Sequence, residues 1–197
     1  MSALKAIALD FDGVLTDGGF WWGPDGAEWK RLSFADVMGV SLARKAGLLV
    51  TIISGEDSPL VVRFAAKMNL ADIAVGCKDK AAALAAYARR QGLAPEEICF
   101  MGDDVNDLAA MEWAGLAAAP ADARPAARRK ADLVTSATGG NGAVRELVDL
   151  ILAGEISLRR QQDGKERQAK PPAASTKFDG SRDEVGQAFS LPSQLLT

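Results

Sequence analysis

Four short apolar runs frame this chain, at residues 6–9, 48–53, 98–101 and 116–119. Each is close to unbroken, with none of the polar–apolar alternation of a half-exposed strand. That is the signature of strands buried on both faces, as in a parallel sheet. Between and after them lie stretches that read as helices, at 36–46, from Pro59 to about 68, at 80–91, up to Trp113, near 124–130, and at 143–152. Their ends are marked. Gly47 and Gly92 follow helices, Pro59 stands in a first turn, and Asp79 is placed to cap the helix that starts at Lys80. Shorter strand-like runs at 73–75 and 133–135 complete the alternation. Strand and helix repeating at this spacing predicts an α/β fold, a central parallel sheet with helices on both faces.

Two stretches fall outside that rhythm. Residues 18–32 carry aromatic arms on either side of Gly23-Pro24-Asp25-Gly26 and read as a β-hairpin. Three of the four tryptophans, Trp21, Trp22 and Trp29, sit there. One hairpin cannot bury so many large rings, so a subunit interface or a flap over a site is expected. Residues 157–197 lose all apolar periodicity and read as a disordered tail. The expected organisation is one domain over 1–156, with a hairpin flap at 18–32, followed by that tail.

Composition narrows the function. Apolar residues make up 48% and charged residues 25%, as in an ordinary globular protein. A net charge of -3 argues against a nucleic-acid binder. No apolar run approaches a membrane span, and the N-terminus enters the first strand without signal-peptide architecture. Cys77 and Cys99 are expected as free thiols in a cytoplasmic protein. The sequence has no histidine, which removes Ser-His-Asp and Cys-His chemistry and every His-ligated zinc site. Acid–base work then falls to carboxylates, lysine or Tyr87.

The candidate chemistry begins at Asp10-Phe11-Asp12-Gly13. Residues two apart in extended backbone point the same way, so Asp10 and Asp12 share one volume at the carboxyl end of the first strand. Open α/β sheets bind ligands at that end. The paired carboxylates repel, and a hard cation such as magnesium relieves the repulsion. Gly13 lets the chain turn sharply and leaves room for a ligand. Ser54 follows the second strand, Asp103 and Asp104 follow the strand at 98–101, and Lys80 opens a helix between them. All converge on one sheet edge. Such a set suits phosphoryl transfer: one carboxylate attacks phosphorus, a second moves the proton, and cations with polar hydrogens neutralise the oxygens.

Asp10-x-Asp12-Gly13-Val14-x-Thr16-Asp17, Ser54-Gly55, Lys80 and Gly102-Asp103-Asp104-x-x-Asp107 resemble the four motifs of the haloacid dehalogenase superfamily. Gly139-Gly140-Asn141-Gly142-Ala143-Val144-Arg145-Glu146 is similar to the ending of its branch without a large cap domain. That branch includes phosphatases of 3-deoxy-octulosonate 8-phosphate and 2-keto-3-deoxy-nononate 9-phosphate. The resemblance spans roughly residues 5–152 and implies a Rossmann-like fold. It makes Asp10 the nucleophile and a magnesium ligand, and Asp12 the general acid/base and a ligand through its carbonyl. Asp103 becomes the third ligand, with Asp104 and Asp107 behind it, and Ser54 and Lys80 hold the phosphoryl oxygens. Gly55, Glu56 and Lys67 are implied substrate contacts. An acidic residue at Glu56 and a lysine at Lys67 resemble the nononate enzymes, so the nononate phosphate is the expected substrate and the octulosonate phosphate the alternative. Phe64 departs from the arginine those enzymes carry. The branch assembles homotetramers through the hairpin. Similar domains fused to sugar-acid cytidylyltransferases mainly support oligomerisation, a third, non-catalytic expectation.

Overall fold

The computed structural model describes residues 4–156; the tail expected at 157–197 lies outside them. Five parallel strands form the sheet: β1 (Ala6–Leu9), β4 (Leu49–Ile52), β5 (Ile98–Met101), β6 (Leu116–Ala119) and β7 (Leu133–Val134), in the order β4-β1-β5-β6-β7. The remaining strands, β2 (Trp21–Trp22) and β3 (Glu28–Trp29), pair antiparallel as the expected hairpin. The helices are α1 (Phe34–Lys45), α2 (Pro59–Met68), α3 (Lys80–Gln91), α4 (Leu108–Trp113), α5 (Pro125–Lys130) and α6 (Ala143–Ala153).

Alternate strand residues feed two cores. Ile7 and Leu9 pack with α1, α2 and α6 on one side of the sheet. Ala6 and Ala8 pack with α3, α4 and α5 on the other. Both faces are covered, which is why the strands carry no polar alternation. The chain runs from β1 to β4 on one side, then crosses to β5 on the other. The strand order therefore reverses at β1, and the crevice beyond its carboxyl end is where such sheets bind ligands.

Several boundaries differ from the sequence reading. The run at 73–75 makes a single bridge, Ile53 with Ala74, because the chain leaves the sheet edge at Gly76, whose φ is 63°. Helix α1 starts before Asp36, because Ser33 Oγ accepts from Ala35 N–H at 3.1 Å and caps it. A turn of 3-10 helix at Val105–Asp107 precedes α4. Asp36 is buried and accepts from the N–H groups of Gly142 (2.9 Å) and Arg145 (3.1 Å), which ties α1 to the start of α6. Cys77 and Cys99 are free, as expected. Among the described residues no helix is long and apolar enough to cross a membrane.

Candidate active site

Beyond the end of β1 lies a cavity of about 620 Å³. Asp10, Asp12, Ser54, Gly55, Glu56, Lys80, Asp103 and Asp104 all line it, so the convergence expected from the strand ends is real. Asp10 leaves β1 as the backbone pairs with Met101, and its carboxylate also accepts from Phe11 N–H at 2.7 Å. Lys80, at the start of α3, extends into the site with its side chain 2% exposed. Its Nζ lies 2.9 Å from Asp10 Oδ1 and 2.6 Å from Asp107 Oδ1. Asp107 is fully buried, and its Oδ2 accepts from the N–H groups of Asp103 and Asp104. It thus shapes the loop that carries Asp103 while it orients Lys80.

Burial raises the Asp10 carboxyl, the nearby Asp107 raises it further, and Lys80 opposes both. Burial works against the Lys80 ammonium, but Asp10 and Asp107 outweigh it and hold that group above its usual range. The ammonium, 2.9 Å away, favours the Asp10 carboxylate against that burial. Asp103 is pushed up to about 7 by burial and then by Asp107 and Asp104. Oxygen atoms of Asp10, Asp103 and Asp107 lie within 4.8 Å of one another. An all-carboxylate donor set at this spacing fits a hard divalent cation such as magnesium. Asp107 enters this cluster more closely than the supporting position expected of it.

The turn after β1 is tightly specified. Gly13 has φ 83°, and a Cβ there would overlap the Asp103 carboxylate. A Cβ at Gly139 would overlap the Gly13 carbonyl, so the glycine loop at 139–142 forms a wall against the first motif. Gly140 N–H donates to the Val14 carbonyl at 3.0 Å. Ser54 is buried, and its Oγ accepts from Glu56 N–H at 3.1 Å, which leaves its own hydrogen for the cavity.

The hairpin contributes residues that the sequence reading missed. Trp22 pairs with Glu28 in the ladder, and Lys30 is two positions further on, so the three share a face. All three line the cavity, with Phe20. Lys30 Nζ reaches Asp12 Oδ2 at 2.8 Å and Glu28 Oε1 at 3.4 Å, with its side chain 6% exposed. Burial works against its charge, yet the bonds to Asp12 and Glu28 keep the ammonium above its ordinary range. Thr16 Oγ1 donates to the other Asp12 oxygen at 3.2 Å. Strand periodicity puts Glu28 and Lys30 on one face but does not say which way that face turns. Trp21 and Trp29 pair with each other on the opposite face and do not line the cavity. The tryptophans therefore divide between the flap and the outer surface. Asn106, Lys78 and Arg124 line the cavity as well and were not anticipated.

Lys67 does not line this cavity. It lies near the end of α2, with Nζ 5.8 Å from the Phe34 ring centroid. Glu56 precedes the Ser58 cap and is outside α2, so helical periodicity does not place the two on one face. Phe64 turns into the core, edge-on to Phe11 at 5.8 Å between ring centroids.

The family model for haloacid dehalogenase-like hydrolases matches residues 60–147. The 3-deoxy-D-manno-octulosonate 8-phosphate phosphatase of Escherichia coli K12 is 36% identical over 155 residues, covering 79% of this chain and 82% of that protein. The Haemophilus influenzae phosphatase of the same name is 33% identical over 152 residues, covering 77% and 84%. Among solved structures, the Moraxella catarrhalis phosphatase of that name, in complex with magnesium, phosphate and KDO, superposes with a TM-score of 0.75 at 34% identity, covering 77% and 87%. A cobalt-bound Haemophilus influenzae phosphatase gives a TM-score of 0.75 at 32% identity, covering 78% and 90%. Similarity of this extent, over most of both chains, makes this protein an enzyme of the haloacid dehalogenase-like hydrolase family.

Proposed function

We propose that this chain is a magnesium-dependent phosphatase of a 3-deoxy-2-keto sugar acid, with 3-deoxy-D-manno-octulosonate 8-phosphate as its substrate and the cytoplasm as its compartment. The observation that carries the chemistry is Lys80 held between Asp10 and Asp107 beside Asp12, Ser54 and Asp103. The substrate rests on the relatives, which bear the octulosonate name at 33–36% identity. Glu56 does line the cavity, which favours the nine-carbon nononate phosphate as the second reading. A purely non-catalytic assembly role has no support in a chain that retains the full constellation.

The residues divide the work. A carboxylate oxygen of Asp10 attacks phosphorus, and the bond from phosphorus to the sugar oxygen breaks. Asp12 gives its proton to the departing alkoxide, leaving an aspartyl-phosphate on Asp10. Asp12, now a base, takes a proton from water, whose oxygen attacks the same phosphorus and restores the Asp10 carboxylate. Lys80 and the Ser54 hydroxyl donate to the phosphoryl oxygens throughout. Asp10, Asp103 and the Asp12 carbonyl would hold magnesium, which supplies positive charge to the phosphoryl group when bound. Six carboxylates and four cations line the cavity, so a divalent cation also balances the charge that a phosphate dianion meets.

Assembly belongs to the same proposal. Trp21 and Trp29 are 55% and 57% exposed on one chain, Phe34 is 83% exposed, and Met38 and Val62 extend the apolar surface. A homotetramer built on the hairpins covers such rings. Lys67, beside Phe34, would then reach only a neighbouring chain's cavity. The direct test is phosphate release from the octulosonate phosphate by the full chain, with magnesium and with EDTA. Release only with magnesium is expected; none in either condition would overturn the proposal.

A further inference from the structure

A sugar-acid phosphate brings two anions into the site, and only the phosphate end has been assigned partners in this chain. Four cations line the cavity. Lys80 is held by Asp10 and Asp107, and Lys30 by Asp12 and Glu28, both with buried side chains. Arg124 is different. Its nearest charged partner is Asp104, with Nε 3.8 Å from Oδ2, beyond hydrogen-bond length. Its side chain is 71% exposed at the cavity mouth. Lys78, also at the cavity, makes no ion pair among the described residues.

Helix stability does not account for Arg124. It occupies the N-cap of α5, where an acceptor side chain would satisfy free N–H groups, and it makes no cap hydrogen bond. Cations are disfavoured at that helix end. Its backbone is nonetheless fixed at the site: its N–H donates to the Asp103 carbonyl at 2.8 Å, and Pro125 follows at once in the first turn. The base of the side chain is anchored beside an expected metal ligand, while the guanidinium makes only the long 3.8 Å approach to Asp104.

We infer that Arg124, assisted by Lys78, recognises the carboxylate of the sugar acid, so that the acid group is read within the same chain that holds the phosphate. A guanidinium offers two parallel N–H donors that match a carboxylate, which a lysine ammonium does not. Inside the cavity mouth such a pair is less screened than in open water. This inference rests on the sugar-acid phosphatase reading.

The test compares kcat/KM, with magnesium, for 3-deoxy-D-manno-octulosonate 8-phosphate and for D-arabinose 5-phosphate, a sugar phosphate with no carboxylate. Wild type is expected to prefer the acid. Arg124→Met should lower the ratio of the two at least tenfold, mainly through KM for the acid. Arg124→Lys should fall between, and Lys78→Met should act in the same direction with smaller effect. An unchanged ratio in Arg124→Met, measured on protein with the wild-type melting temperature, overturns the inference. So does a selective loss in Lys67→Ala alone, which would hand the carboxylate to a neighbouring chain. Equal wild-type turnover of both sugars defeats the inference but leaves a phosphatase. Turnover of neither defeats the functional reading itself.

Discussion

Lys30 Nζ stands 2.8 Å from Asp12 Oδ2, although eighteen residues and a hairpin separate the two in the chain. With Thr16 on the other oxygen, both ends of the Asp12 carboxylate are held. The hairpin thus does more than cover the site, since it orients the carboxylate proposed to move the proton. Lys30→Met should lower kcat by roughly 10- to 100-fold, a part of the full acid–base contribution. KM should change less, and Lys30→Arg should recover some activity. Steady-state kinetics on variants with native melting temperatures check this; an unchanged kcat would show Lys30 to be a structural ion pair.

Asp10→Asn should abolish turnover, because an amide cannot form the aspartyl-phosphate. It should not destabilise the metal-free protein. Burial and Asp107 make the Asp10 charge costly, and the amide removes that charge while keeping the shape. The expected melting temperature in EDTA equals or exceeds that of wild type. A marked drop would mean that the charge supports the fold.

The metal-free site should respond to pH in a defined direction. Folding raises Asp103 from 3.8 to about 7 and raises Asp10 in the same sense. Their contribution to stability is complete below about pH 4 and is lost as pH rises through 7. Magnesium binds the ionised forms and displaces protons. The gain in melting temperature on adding magnesium should therefore be larger at pH 8 than at pH 5.5, and calorimetry near pH 6.5 should record proton release. A larger gain at pH 5.5 would contradict it.

The two faces of the hairpin should separate by mutation. Trp21→Lys with Trp29→Lys alters the face away from the cavity and should dissociate the proposed tetramer, read by light scattering. Trp22→Ala alters the cavity face and should raise KM while leaving the mass unchanged. Dissociation by Trp22→Ala, with none from the double variant, would reverse the assignment.

The sheet was legible in the sequence because strands buried on both sides are apolar at every position, and Ile98–Met101 shows it without interruption. Asp10, Ser54, Lys80 and Asp103 were legible because each follows a strand or opens a helix at the same edge. Lys30 was not, since nothing local in Glu28-Trp29-Lys30 says that the hairpin folds back on the first motif. Lys67 lies near the end of α2, and Glu56 stands before the Ser58 cap, so no helical spacing links the two within one chain. Phe64 reads as a departure from a polar position, but in this chain it fills the core against Phe11.

The wall formed by Gly139 and Gly140 against Gly13 and Thr16 has a temporal meaning. Asp10, the proposed nucleophile, leaves the ribosome more than a hundred residues before the backbone that fixes its turn. Closing a loop of that length is slow compared with local contacts. A partly made chain therefore carries the nucleophile without its geometry. Under the proposed mechanism, hydrolytic competence waits until the glycine loop meets the first motif.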